Sequence, residues 1–290
     1  YKAALAAAFV VVDPEDRRRM ITDQIEAALA PLEAKVHPDP GLLDDLTLNV
    51  EHPLVVFGAF PEGFLSLPLE VLSTAMREGQ KLFSVVKGKK QLPYFLGVAD
   101  APADAKGLIR RGNERVLRAR LEDARFFWDQ DRKVPLAERA AGLGNVLFQE
   151  KLGSYEDKAQ RLKKIVAYLC DRTEAAEAKA AAVEAAGLCK ADLLTEMVKE
   201  FSGLQGRMGG LYAREEGAPA AVHQAIYEHY QPVGLDDASP ASLTGALLSI
   251  ADKMDSIVGG IGVGLTVSGS SDPFGLRRNA QGVCKVVLDR

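Results

Sequence analysis

Across residues 135–153 the hydrophobic period of this chain changes, and that change limits it to two kinds of architecture in series. Before it, apolar residues recur at both strand and helix spacing; after it, only at helix spacing. Phe9–Asp13 reads as a short strand. Asp13, followed by Pro14, Glu15 and Asp16, reads as a helix start with the stripe Ile21, Ile25, Ala28 and Leu32. The Pro- and Gly-broken run 37–41 precedes a helix reaching Val50. A strand over Leu54–Phe60 follows, then a helix from Leu67 to Gln80 with Val71 and Met76 inward. Leu82–Val86 and Leu92–Ala99 flank the basic turn 87–91, which is a hairpin signal. Residues 1–135 are therefore expected to form an α+β domain with a small, mostly antiparallel sheet.

Residues 136–290 carry four helical stripes: Leu162, Ile165, Val166 and Leu169; Leu194, Met197, Val198 and Phe201; Val222 and Ile226; and Leu243, Leu247, Ile250, Met254 and Ile257. Glycine-rich 204–210 and proline-bearing 230–234 separate them. The expected class is an α+β domain followed by an all-α domain, with no internal repeat.

The first domain ends in GNERVLRARLEDARFFWDQD, residues 112–131. As a helix it places Leu117, Leu121, Ala124 and Trp128 on one face, and Arg111, Arg115, Arg118 and Arg125 on another. From Lys106 to Lys133 there are nine basic and five acidic residues, a local +4 in a chain of net −4. One reading is a phosphate-binding stripe. The other is a self-paired surface, since Glu114 lies four residues before Arg118, and Glu122 lies one turn from both Arg118 and Arg125.

Net charge −4 excludes indiscriminate coating of nucleic acid, so any contact with it must come from local patches. Cys170, Cys189 and Cys284 are isolated, which suggests neither a disulfide framework nor a zinc site and fits a reducing cytoplasm. The apolar runs Leu5–Val12 and Ile257–Val267 are too short to span a bilayer. Neither a membrane nor DNA is expected as a partner. A start at Tyr1 without an initiator Met fits a piece of a longer subunit.

The same Arg-rich word resembles a stretch of the beta subunit of bacterial heterotetrameric glycyl-tRNA synthetase. Further words follow in that family's order: FPEGFLSLPLEVLSTAMREGQKLF (60–83), LFQEKLGSYEDKAQRL (147–162), AAGLCKADLLTEMVKEFSGLQGRMGGLYA (185–213), IYEHYQP (226–232), IADKMDSIVG (250–259) and SSDPFGLRR (270–278). The resemblance implies that ATP and glycine, with Mg, bind the alpha subunit, whereas the beta subunit binds and positions tRNA(Gly). An anticodon-binding domain would lie beyond Arg290. No cofactor and no catalytic residue are expected in this segment, which has no nucleotide loop and no nucleophile–base pair.

The resemblance also implies that residues 136–290 are a degenerate HD domain, a helical fold named for His and His-Asp metal ligands. The later Asp is matched by Asp252. The central pair reads Ala191-Asp192 after Lys190, and no histidine lies between His52 and His223, so the first ligand is missing from the helix Asp157–Asp171. Carboxylates without imidazoles suit a transition metal poorly, which argues against the alternative of a metal-dependent phosphohydrolase. Lys190, Asp192, Asp252 and Asp255 are expected instead to form a polar cluster, with Asp252 and Asp255 opposite the stripe of Leu247, Ile250 and Met254. It would either lock helices together or face an RNA end. His223 and His229, six apart, suit structural hydrogen bonding or stacking. GRMGG (206–210) lacks the Lys-Ser/Thr ending of a phosphate loop and reads as a flexible connection. Asp272-Pro273 starts a last helix that projects Arg277 and Arg278. Together with Arg115 and Arg118, these are the candidate RNA contacts; the alternative is a salt bridge to Asp272 or Asp252. A further alternative is a purely structural scaffold for the alpha subunit.

Overall fold

A computed structural model of the chain describes residues 1–265, 272 and 274–290. The chain divides into two compact units, Tyr1–Asp129 and Gln130–Arg290, so the division expected after residue 135 falls after Asp129.

The first unit is α+β. Helix α1 (Lys2–Ala7) ends where Phe9 takes a left-handed φ of 59°, and Val10 N–H turns back to Leu5 O at 2.9 Å. These bonds close a helix terminus, and the strand expected over Phe9–Asp13 does not form. Helix α2 (Pro14–Leu29) starts as its sequence dictates: Pro14 holds the first position and the Asp13 carboxylate accepts Glu15 N–H at 3.0 Å. Strand β1 (Lys35–Val36), helix α3 (Pro40–Asn49), strand β2 (Pro53–Ala59) and helix α4 (Leu69–Gln80) follow. Strands β3 (Phe83–Lys87) and β4 (Lys90–Asp100) make a hairpin turned at Gly88, whose φ of 63° favours glycine.

The sheet order is β1-β3-β4-β2, antiparallel throughout, with Val55 opposite Val98 and Phe57 opposite Leu96. On one face Phe83, Val85 and Leu96 pack with Ile21, Ile25, Leu29, Leu42 and Leu46 from α2 and α3. The other face receives helix α5 (Leu108–Asp131). A Cβ on Gly97 would stand 3.3 Å from Asn113, and Gln80 Nε2 donates to Asn113 Oδ1 at 3.1 Å. Leu117, Leu121, Ala124 and Trp128 are all buried, the apolar face that their spacing predicts.

Among the described residues, the second unit is helical apart from one small hairpin. After α6 (Leu136–Ala140), strands β5 (Leu147–Gln149) and β6 (Gly153–Ser154) pair antiparallel, an exception to the all-α expectation. Helices α7 (Tyr155–Arg172), α8 (Lys179–Leu188), α9 (Glu196–Glu200), α10 (Arg207–Glu215), α11 (Ala220–Glu228), α12 (Leu243–Gly262) and α13 (Leu276–Asp289) complete it. Leu162, Val166, Ala182, Ala185, Ile226 and Leu248 belong to one core.

Residues 206–210 are not a flexible connection but the start of α10. A Cβ on Gly210 would meet Tyr227 Cβ at 2.5 Å and His223 O at 2.7 Å, so the missing side chain is what lets α10 and α11 touch. The reading of α12 also needs correction. Leu243 and Met254 are exposed, while Ser249, Asp252, Lys253 and Asp255 are buried. No helix among the described residues is long and apolar enough to cross a membrane. The part of the run Ile257–Val267 beyond Leu265 lies outside the described residues, as do Ser270, Ser271 and Pro273 of the last family-like word.

Candidate functional site

The buried charges of α12 are matched by two lysines from other parts of the unit. Ser154 and Asp157 form a reciprocal capping box that starts α7, and in its first turn Lys158 points inward, 2% exposed. Its Nζ lies 2.9 Å from Asp252 Oδ1, 3.0 Å from Asp255 Oδ2 and 2.9 Å from Ser256 Oγ. Lys190, just after α8, reaches Asp252 Oδ2 at 2.7 Å and His229 Nε2 at 3.0 Å. Arg161 closes the far side through Asp255 Oδ1 at 2.6 Å. Two ammoniums thus face two carboxylates inside the unit, and Arg161 joins them from its partly exposed edge.

Burial alone would raise the Asp252 pKa, but the Lys158 and Lys190 ammoniums hold it well below the usual carboxylate range. Lys190 is likewise kept charged: burial works against its ammonium, and Asp252 outweighs that. His229 is held neutral by burial and by Lys190 beside it, while its Nδ1 lies 2.6 Å from Ile226 O. The Tyr230 ring stacks on His229 with centroids 4.0 Å apart and receives Lys190 Nζ at 3.9 Å from its centroid. Beneath Lys190, burial pushes the Cys189 thiol up to about 12.

Of the four residues expected to cluster, Lys190, Asp252 and Asp255 converge, the last through Lys158. Asp192 serves another purpose. Its Oδ2 accepts the N–H groups of Gly206 at 2.5 Å and Gly209 at 3.0 Å, capping α10, while Oδ1 is buried without a partner among the described residues. Burial pushes its carboxyl up to about 6 despite those two bonds.

The HD resemblance would place a metal at Asp252, and the residues present do not fit one. Both Asp252 oxygens already face ammoniums, and Asp192 is spent on a helix end. A protonated lysine has no lone pair to donate and repels a cation. Sequence reasoning missed Lys158, Arg161 and Tyr230. The signal was available for the first: Lys158, Leu162 and Val166 are four apart, so the lysine stands in register with an apolar stripe.

The candidate RNA contacts belong to two different units. Arg111, Arg115 and Arg118 are exposed on α5, and none is ion-paired among the described residues. The self-pairing read from sequence does not form, since Glu114 Oε1 accepts Ala59 N–H at 3.2 Å instead. Arg125, placed with them by sequence, packs inward with its guanidinium 4.1 Å from the Phe64 ring centroid. Arg277 and Arg278 stand exposed in the first turn of α13. Neither guanidinium bonds Asp272, whose two oxygens accept the backbone N–H groups of Leu276 at 2.6 Å and Arg277 at 2.9 Å, and neither reaches Asp252.

Comparison with known proteins gives these features a family. The family described as glycyl-tRNA synthetase beta subunit matches residues 1–290. The glycine–tRNA ligase beta subunit of Syntrophotalea carbinolica is 45% identical over 283 residues, covering 97% of this chain and 41% of that protein. That of Desulforudis audaxviator is 45% identical over 295 residues, covering 100% and 42%, and that of Geotalea daltonii is 46% identical over 281, covering 97% and 41%. The chain thus spans about two fifths of the length of these relatives. With the match running from its first residue to its last, the chain belongs to the glycyl-tRNA synthetase beta-subunit family.

Proposed function

We propose that this chain is the tRNA-binding and tRNA-positioning part of a glycyl-tRNA synthetase beta subunit, and that it supports ATP-dependent attachment of glycine to tRNA(Gly) in the cytoplasm without carrying the catalytic site. ATP, glycine and Mg would bind the alpha subunit, the protein partner in an alpha/beta heterotetramer. The observation that carries this reading is the exposed guanidinium row of Arg111, Arg115 and Arg118, without ion pairs among the described residues, in a chain of net negative charge. Guanidiniums left without carboxylates are free to fork onto phosphate oxygens, and a backbone grip of this kind needs no base pattern. Arg277 and Arg278 offer a second such pair.

The helical unit is, in this reading, a degenerate HD domain whose metal has been replaced by Lys158 and Lys190. Its cluster holds helices together, and phosphoester hydrolysis is disfavoured by the lack of a metal-ligating donor set around Asp252. The test is tRNA binding over a range of salt. Replacing Arg115 and Arg118 by Ala, and separately Arg277 and Arg278, should weaken binding and lower the salt slope by roughly one for each phosphate no longer held. Adenylate formation by the alpha subunit should be unchanged. If both double variants bind tRNA with the parent's affinity and slope, the phosphate role is rejected and a scaffold for the alpha subunit takes its place.

A further inference from the structure

The Tyr230 ring that covers Lys190 also lines a cavity of about 360 Å³ in the helical unit, a size that suits a small ligand. Tyr227, Phe274, Arg207 and Arg278 line it as well. Each arginine stands in the first turn of a helix, after a glycine with left-handed backbone: Gly206 (φ 79°) before α10 and Gly275 (φ 64°) before α13. These glycines shape the wall. A Cβ on Gly206 would strike the Tyr230 ring at 2.5 Å, and one on Gly275 would stand 3.2 Å from the Arg278 guanidinium.

Three observations give the cavity a chemical preference. Neither Arg207 nor Arg278 has an ion-pair partner among the described residues. Asp237, the acid in the wall, uses its oxygens on the N–H groups of Val233 and Ala238, at 2.9 Å each. The wall is also stiff, because buried Lys253 donates to Tyr230 O at 3.1 Å and Gln231 O at 2.9 Å. Aromatic rings beside such guanidiniums suit a planar group that carries an anion. A base inside a double helix offers neither of its faces to a ring, so a concave aromatic site of this size selects an unstacked one.

We propose that this cavity receives a single unpaired nucleotide of the bound RNA, its base against Tyr227 and Phe274 and its phosphate held by Arg207 and Arg278. The proposal rests on the tRNA-binding reading. Its test is an anisotropy titration of the whole chain with tRNA, a short unstructured oligoribonucleotide, a blunt RNA duplex and free adenosine monophosphate. Phe274 is 43% exposed, so Phe274→Ala should leave the fold intact, which a melting curve checks. It should weaken single-strand binding about tenfold and leave duplex binding unchanged. Arg207→Ala with Arg278→Ala should lower the single-strand salt slope by about 0.7 for each phosphate released. Should the variants bind the single strand as the parent does while tRNA is still bound, the cavity is not a nucleotide site and the tRNA reading stands. If the parent binds no RNA at all, both fall. Monophosphate binding as tight as the oligoribonucleotide, and equally sensitive to the variants, would overturn the RNA-strand assignment in favour of a free nucleotide.

Discussion

Asp192 is a buried carboxylate that holds the first turn of α10 through two N–H groups. Its carboxyl, pushed up to about 6 by burial, makes a pH signature. Between about pH 4 and pH 6 the folded chain keeps a proton on Asp192 that the unfolded chain has released. The contribution of this residue to stability therefore falls as pH rises through that window, by about 3 kcal/mol, and is level above it. Asp192→Asn keeps an oxygen for the cap and has no proton to lose. Denaturant unfolding should find this variant gaining on the parent from pH 4 to pH 6, and a constant difference would refute the titration. Lys158→Met should cost about 3–5 kcal/mol, because it takes away the cation shared by two buried carboxylates and leaves each with a single partner. Arg161→Ala, at the partly exposed edge, should cost less. Sequence alone showed Asp252 and Asp255 but not the lysine that joins them, because Lys158 and Asp255 lie 97 positions apart and only the fold brings them together.

Among the elements, those whose signals are local were legible. The Asp13-Pro14 start of α2, the turn at Gly88 and the apolar face of α5 needed nothing beyond their own neighbours. The misread ones depend on what packs against them. The Gly209-Gly210 pair breaks helices in isolation, yet α10 requires it to approach α11. The buried carboxylates of α12 invert its polarity because lysines from outside the helix wait for them. Two glycine substitutions should therefore act in opposite directions. Gly210→Ala forces α10 and α11 apart and should destabilise by about 1–3 kcal/mol. Gly112→Ala, in α5 with nothing within 4 Å of its Cβ position, should stabilise by about 0.5–1 kcal/mol. Trp128→Ala should cost ~3–5 kcal/mol through the cavity it leaves on the buried face of α5. Chemical denaturation of each variant checks all three.

At the scale of the molecule, the change of hydrophobic period foresaw an α+β unit followed by a helical one, because period is a property of long stretches and survives local errors. The β5–β6 hairpin escaped notice because its strands of three and two residues are too short to show any period. The charge distribution has a consequence for binding as a whole. With net charge −4, the chain should repel polyanions except at its arginine rows, so the RNA affinity proposed for it should collapse steeply with added salt. Filter binding at low and at physiological ionic strength would show it; a salt-independent affinity would count against any phosphate grip.

The thiol beneath Lys190 has a use in the laboratory. Cys284 is exposed, whereas Cys170 and Cys189 are buried. A thiol without access to solvent, and held far from its thiolate, does not meet an alkylating reagent until the surrounding helices part. The folded chain should thus consume one equivalent of maleimide quickly. The slower uptake of the remaining two becomes a clock for the opening of the helical unit, readable by mass spectrometry without any probe being introduced.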